Sequence, residues 1–176
     1  MSSWILSTER FLLPYTPGFL ANGYIGMTSD WLGIGPSDCH IADVFNRAAD
    51  PADTVRVRLP SFNGLDLYNG LRWLGGLEPN TTLLRNYAQS LDLHTATLNT
   101  DFRWHDGDQI IDITTTSFVC RHSSHVAVQR LTLTPLFDGP LQLRVFIDER
   151  RGDLHIDELS YTELYDSYQA GYTLSL

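Results

Sequence analysis

The chain has 176 residues and a formal charge of −9, from 12 basic and 21 acidic side chains. That balance excludes nucleic acid and anionic membrane surfaces as natural partners, and no run approaches the ~20 apolar residues that a membrane helix needs. The length fits a single domain, 1–176, burying roughly 70% of the surface its unfolded chain would expose.

Taken in order, Met1–Pro17 reads as an irregular lead-in, interrupted by Pro14 and Pro17. It has neither a basic start nor a continuous apolar core of the secretory kind, so the expected location is the cytoplasm. There the Asn80-Thr81-Thr82 sequon is inert. Phe19–Thr28 contains Asn22-Gly23, which local chemistry reads as a tight turn. The competing reading is one strand with a glycine-permitted bulge. Asp30–Asp38 is a Gly/Ser/Pro loop holding Trp31, and His40–Asn46 is a short strand. Thr54–Leu59 alternates, with Val55, Val57 and Leu59 opposite Arg56 and Arg58, as in a strand with one solvated side. Pro60–Gly76 reads as two glycine-rich turns, and Thr81–Ala88 as another strand.

Leu91–Asp148 carries the clearest pattern. Extended segments at Leu91–Leu98, Phe102–Trp104, Ile110–Cys120, His125–Pro135 and Leu141–Asp148 are separated by turns, as in an antiparallel meander. Asp106-Gly107 and Asp138-Gly139-Pro140 supply two of those turns. Leu141, Leu143, Val145 and Ile147 alternate with polar or aromatic neighbours, the period of a strand with one buried face. Val126 and Val128 share one parity while Leu131 and Leu133 share the other, which predicts a β-bulge near Gln129 or Arg130. Beyond Asp148 the alternation is lost, and Asp157–Tyr168 is expected to form a short helix before a last strand at Tyr172–Leu176.

Few residues suggest chemistry. Cys39 and Cys120 match no metal spacing and read as two small buried thiols; a bridge between them would need an oxidising compartment. His122 and His125 lack further ligands nearby and read as a solvated turn. Asp106, Asp108 and Asp112 fall short of a calcium loop and read as hairpin residues and solvated carboxylates. No metal or other cofactor is expected. Trp31, in its loop, is the best candidate platform for a sugar ring, whereas Trp104 reads as core.

The ordered segments FLANGYIGM, HIADVFN, VRVRLPSFNGLDL, NYAQSLDLHTATL and TTSFVCRHSSHVAVQRLTLTPLFDGPLQLRVFID resemble the N-terminal domain of glycoside hydrolase family 65, most strongly over 19–148. The resemblance implies an all-β fold, an antiparallel β-sandwich of the galactose-mutarotase-like supersandwich kind, here short of its last strands. It also favours the single-strand reading of Phe19–Thr28. It implies a non-catalytic role: packing against a catalytic (α/α)6 barrel, in cis or in trans, that acts on an α-glucoside, with a homodimer as a further expectation. No position matches the family's general-acid glutamate, so no catalytic residue is assigned. Two alternatives stand beside this reading. One is a free-standing carbohydrate-binding module using Trp31; the other is a small mutarotase-like enzyme, which would need a His pair and a carboxylate in one cleft.

Overall fold

A computed structural model describes residues 4–11, 18–35, 38–47, 54–148, 158–164 and 169–175. Its largest sheet has five strands in the order β1-β8-β9-β10-β11: β1 (Ile5–Thr8), β8 (Leu84–Asp92), β9 (Thr97–Asp106), β10 (Gln109–Val119) and β11 (Ala127–Pro135). All are antiparallel to their neighbours. The second layer is assembled from smaller sheets. One is β2-β3-β4 (Phe19–Ala21, Ile25–Thr28, Cys39–Ile41), and another pairs β5 (Phe45–Arg47) with β6 (Thr54–Arg56). The third pairs β7 (Ser61–Tyr68) with β12 (Gln142–Asp148). This is the expected all-β antiparallel sandwich.

Two apolar clusters join the layers. At one end Leu20, Ile25, Met27 and Cys39 pack on Leu98 and Val119 of the large sheet. At the other, Leu67 and Leu74 meet Leu84, Tyr87, Phe102, Trp104, Ile111 and Ile113, with Leu32 and Ile34 among them. Strict alternation along β9 and β10 places these side chains on one face. The opposite face is polar and cross-braced: Thr114 donates to Asp101, Thr116 to Asn99, and Arg103 grips Asp112 through two N–H groups. The Arg103 guanidinium holds the Asp112 carboxyl below its ordinary range.

Between the two clusters the inner face turns polar, and the 30–35 loop inserts there. Gln129 donates to the Gly33 carbonyl at 2.7 Å. Gln89 donates to the Asp30 carbonyl and to Thr100. A loop buried this deeply must have its backbone groups satisfied, and these amides do it.

Several local expectations are corrected. Phe19–Thr28 is two strands, β2 and β3, joined by a turn in which Gly23 has φ +92°. Asn22 fixes that turn by accepting from the Tyr24 and Ile25 N–H groups while donating to the Cys120 and Ser124 carbonyls. The turn chemistry was the better guide. His40–Asn46 is likewise divided between β4 and β5 by a turn at Ala42-Asp43. Leu91–Leu98 is not continuous. Asp92 accepts from the N–H groups of His94 and Thr95 and closes a turn between β8 and β9. The His94 N–H, foremost among these contacts, lowers the pKa of Asp92.

No bulge interrupts β11, whose register with β10 runs unbroken from Val119↔Ala127 to Ile111↔Pro135. The parity change has another cause: Gln129 points inward to Gly33, while Val126 and Val128 lie exposed. The bulge occurs instead in β8, between Arg85 and Ala88, where Asn86 takes φ +54° and lets both Leu84 and Tyr87 face the core. The expected helix at Asp157–Tyr168 is absent from the described residues. Glu158–Leu164 is strand β13 and pairs with β14, Gln169–Ser175. The registered run carries β-formers, with Tyr161 opposite Tyr172, and four residues separate the strands.

The meander also ends sooner than expected. β11 ends at Pro135, with the Leu136 N–H still donating to the Ile110 carbonyl, and the chain then crosses to pair β12 with β7 rather than with β11. Leu143 and Val145 lie directly opposite Leu67 and Leu65, so they occupy the core side of the ribbon. They are nevertheless 51% and 46% exposed.

Candidate functional site

Trp31, the sugar-platform candidate, is half-buried. Phe11 stacks on its ring at 5.1 Å, and its carbonyl accepts from the Tyr87 hydroxyl at 2.7 Å. The stacking covers part of the ring surface that a sugar would need. The remainder lines a cleft of about 440 Å³ between the 30–35 loop, the turn at 74–77 and the β7–β12 ribbon. Its chemically distinctive lining residues are Asp30, Trp31, Asp66, Arg144 and Phe146.

Asp66 anchors this cleft. It is buried, and Oδ1 accepts from the backbone N–H groups of Leu67 and Gly75, at 2.9 and 2.8 Å. Its Oδ2 accepts from Arg144 Nη2 at 2.9 Å. Arg144 reaches it because the two residues face each other across the ribbon. The Arg144 guanidinium lies 4.6 Å from the centroid of Trp73 and 5.2 Å from that of Phe146, with Tyr68 beside Trp73 at 5.3 Å. An aromatic–cation row therefore runs along the outer side of the ribbon, with 55% of the Arg144 side chain still exposed. Asp30 forms the opposite wall, where its Oδ1 accepts from the Ile34 N–H.

The other candidates are not brought into this cleft. His122 and His125 are exposed in the β10–β11 connection, where His125 meets Tyr24 edge-on. No group of three or more His, Cys, Asp or Glu able to hold a metal occurs among the described residues. Asp106 departs from the solvated reading: it is buried and accepts from Asn69 and Arg72 at 3.0 and 2.7 Å. Asp108 lies exposed in the hairpin loop and Asp112 pairs with Arg103. Arg56 and Arg58 are exposed, as expected of a solvated side. Asp66 and Arg144, missed in sequence, are 78 positions apart, and no local pattern links them.

Residues 17–166 match the model of the glycosyl hydrolase family 65 N-terminal domain. The chain belongs to this family. The family 65 fold is also met in a solved structure of a human-microbiome protein assigned as a kojibiose phosphorylase, with a TM-score of 0.62 and 14% identity. The superposition covers 72% of this chain and 18% of that one, so this domain spans less than a fifth of the larger protein. At that identity the likeness shows a shared fold. No curated protein matches the chain.

Both cysteines of this family 65 domain are free thiols. Burial pushes the Cys39 thiol up to about 11, against a smaller opposing effect of the His40 N–H. At pH 8 only about one part in a thousand would then be thiolate. Cys120, which is less buried, should react first with an aromatic disulfide reagent, with Cys39 following only on unfolding. Two equally fast thiols in the native protein would contradict the burial of Cys39.

Proposed function

We propose that this family 65 domain, read as one unit over residues 1–176, is a non-catalytic sandwich that packs against a catalytic (α/α)6 barrel. The reaction served is cleavage of an α-glucosidic bond by water or phosphate. The observation that carries this reading is the exposed core side of β12. Leu143 and Val145 stand on the face that Leu65 and Leu67 use for packing, yet about half of each is open to water. Adjoining apolar surface of this kind is the ordinary mark of an interface.

The cleft chemistry supports the non-catalytic half of the proposal. A glycosidase needs two carboxyl groups available to the scissile bond. Of the two carboxylates that line the cleft, Asp66 is held by Arg144 and by the backbone N–H groups of Leu67 and Gly75, and Asp30 by the Ile34 N–H. The purified chain should therefore release neither glucose nor glucose 1-phosphate from maltose, kojibiose or trehalose, with or without phosphate. Turnover by the chain alone, surviving repurification and lost on unfolding, would end this reading. A cytoplasmic location accords with the two unbridged thiols, and no helix among the described residues is long and apolar enough to cross a membrane.

A further inference from the structure

The cleft between the 30–35 loop and the β7–β12 ribbon has no part in docking through Leu143 and Val145. Those residues alternate with Arg144 and Phe146 along β12, so the two sets point to opposite sides of the ribbon. We propose that this second side is a carbohydrate-binding site, in which Arg144 and Phe146 contact a pyranose seated in the cleft lined by Asp30, Trp31 and Asp66. The proposal rests on the reading of the chain as part of an α-glucoside enzyme, but it concerns a site away from the reacting bond.

The chemistry of the lining selects the ligand. About 440 Å³ is within the range of small-molecule sites and is large enough for a sugar residue. The Arg144 guanidinium is already paired with Asp66, and Asp30 adds a second carboxylate, so the lining offers phosphate and other anions no unpaired cation among the described residues. An apolar ligand would strip water from those charges without replacing its hydrogen bonds. A neutral polyol suits both signs, because each hydroxyl can donate to a carboxylate and accept from a guanidinium. Phe146 and the part of Trp31 that lines the cleft offer apolar surface for the C–H face of a ring.

Pre-organisation is visible at Arg144. Stacking on Trp73 and Phe146 and the bond to Asp66 hold its guanidinium in place, and that bond uses one of its five N–H donors. More than half of the side chain remains exposed for a ligand. The row continues through Trp73 to Tyr68, which gives a second residue of an α-linked disaccharide an aromatic surface outside the cleft.

The test is a titration of the full chain with maltose, followed by tryptophan fluorescence and by ligand-observed NMR. Saturable binding in the millimolar range is expected, with glucose 1-phosphate binding at least tenfold more weakly. Arg144→Gln and Phe146→Ala should each weaken maltose binding at least tenfold, while Trp4→Ala, at an exposed site outside the cleft, should leave it unchanged. Unfolding curves for each variant establish that it remains folded. Phe146→Ala keeps the Asp66–Arg144 pair and so remains informative if Arg144→Gln fails to fold. Absence of binding up to about 100 mM maltose, well above the ligand level at which millimolar affinity saturates, would overturn the proposal. So would binding that neither variant alters. Either failure leaves the docking reading standing, because docking is measured on the opposite side of β12.

Discussion

Trp104→Ala is expected to cost about 3–5 kcal/mol of stability, the range for emptying the site of a buried aromatic side chain. Trp104 is 0% exposed and sits in β9 between Leu84 of β8 and Ile111 of β10, each buried and directly opposite it. A loss of this size is a large share of the roughly 5–15 kcal/mol that stabilises a typical domain. Trp104→Phe should cost far less, about 1–2 kcal/mol. The indole Nε1–H has no hydrogen-bond partner among the described residues, so phenylalanine forfeits packing volume but no bond. Denaturant unfolding with a shared slope decides the matter. An alanine variant within 1 kcal/mol of the parent would mean that Trp104 is not the centre of the core.

Gly33→Ala should be the most damaging single-methyl change. Gly33 has φ +71°, where an L side chain costs about 1–2 kcal/mol. The added Cβ would also fall 2.6 Å from Thr100 Oγ1 and 2.9 Å from Thr100 Cβ, and it would overlap Thr115 Oγ1. Both threonines are buried in the large sheet, so relief requires moving the loop and losing the bond from Gln129. Overpacking of this kind adds about 1–3 kcal/mol, giving an expected loss of about 2–5 kcal/mol. Gly76→Ala is the control. Its added Cβ meets nothing within 4 Å, and the change should stay within about 0.5 kcal/mol. Equal midpoints for the two variants would show that the 30–35 loop does not occupy the interior as described.

The parts of the fold that were legible share one property: their partners are close in sequence. β9 and β10 alternate cleanly and are joined by a two-residue loop at Gly107-Asp108, and β11 follows after a short connection beyond Val119. Residues 61–68 lacked any such cue. Asn63, Gly64 and Asp66 dilute the apolar pattern, and the strand exists because β12, more than 70 positions away, pairs with it. The cleft was hidden for the same reason, since Asp66 gains significance only when that pairing sets Arg144 opposite it. Trp31 was found as a loop tryptophan, but its stacking on Phe11 shows a packing role that spacing could not reveal. At Asn22-Gly23 local chemistry was correct and family likeness misled, because likeness places a segment in a domain without fixing its turns.

The most direct test of the docking account is sedimentation of this chain with a separately produced family 65 catalytic barrel. A one-to-one complex is predicted, and Leu143→Glu together with Val145→Glu should weaken it at least a hundredfold while leaving the unfolding midpoint of the isolated chain nearly unchanged, since both positions are already about half exposed. No complex, or one indifferent to those substitutions, would contradict the account. A homodimer that the same two glutamates dissociate would assign the exposed face of β12 to a second copy instead of the barrel.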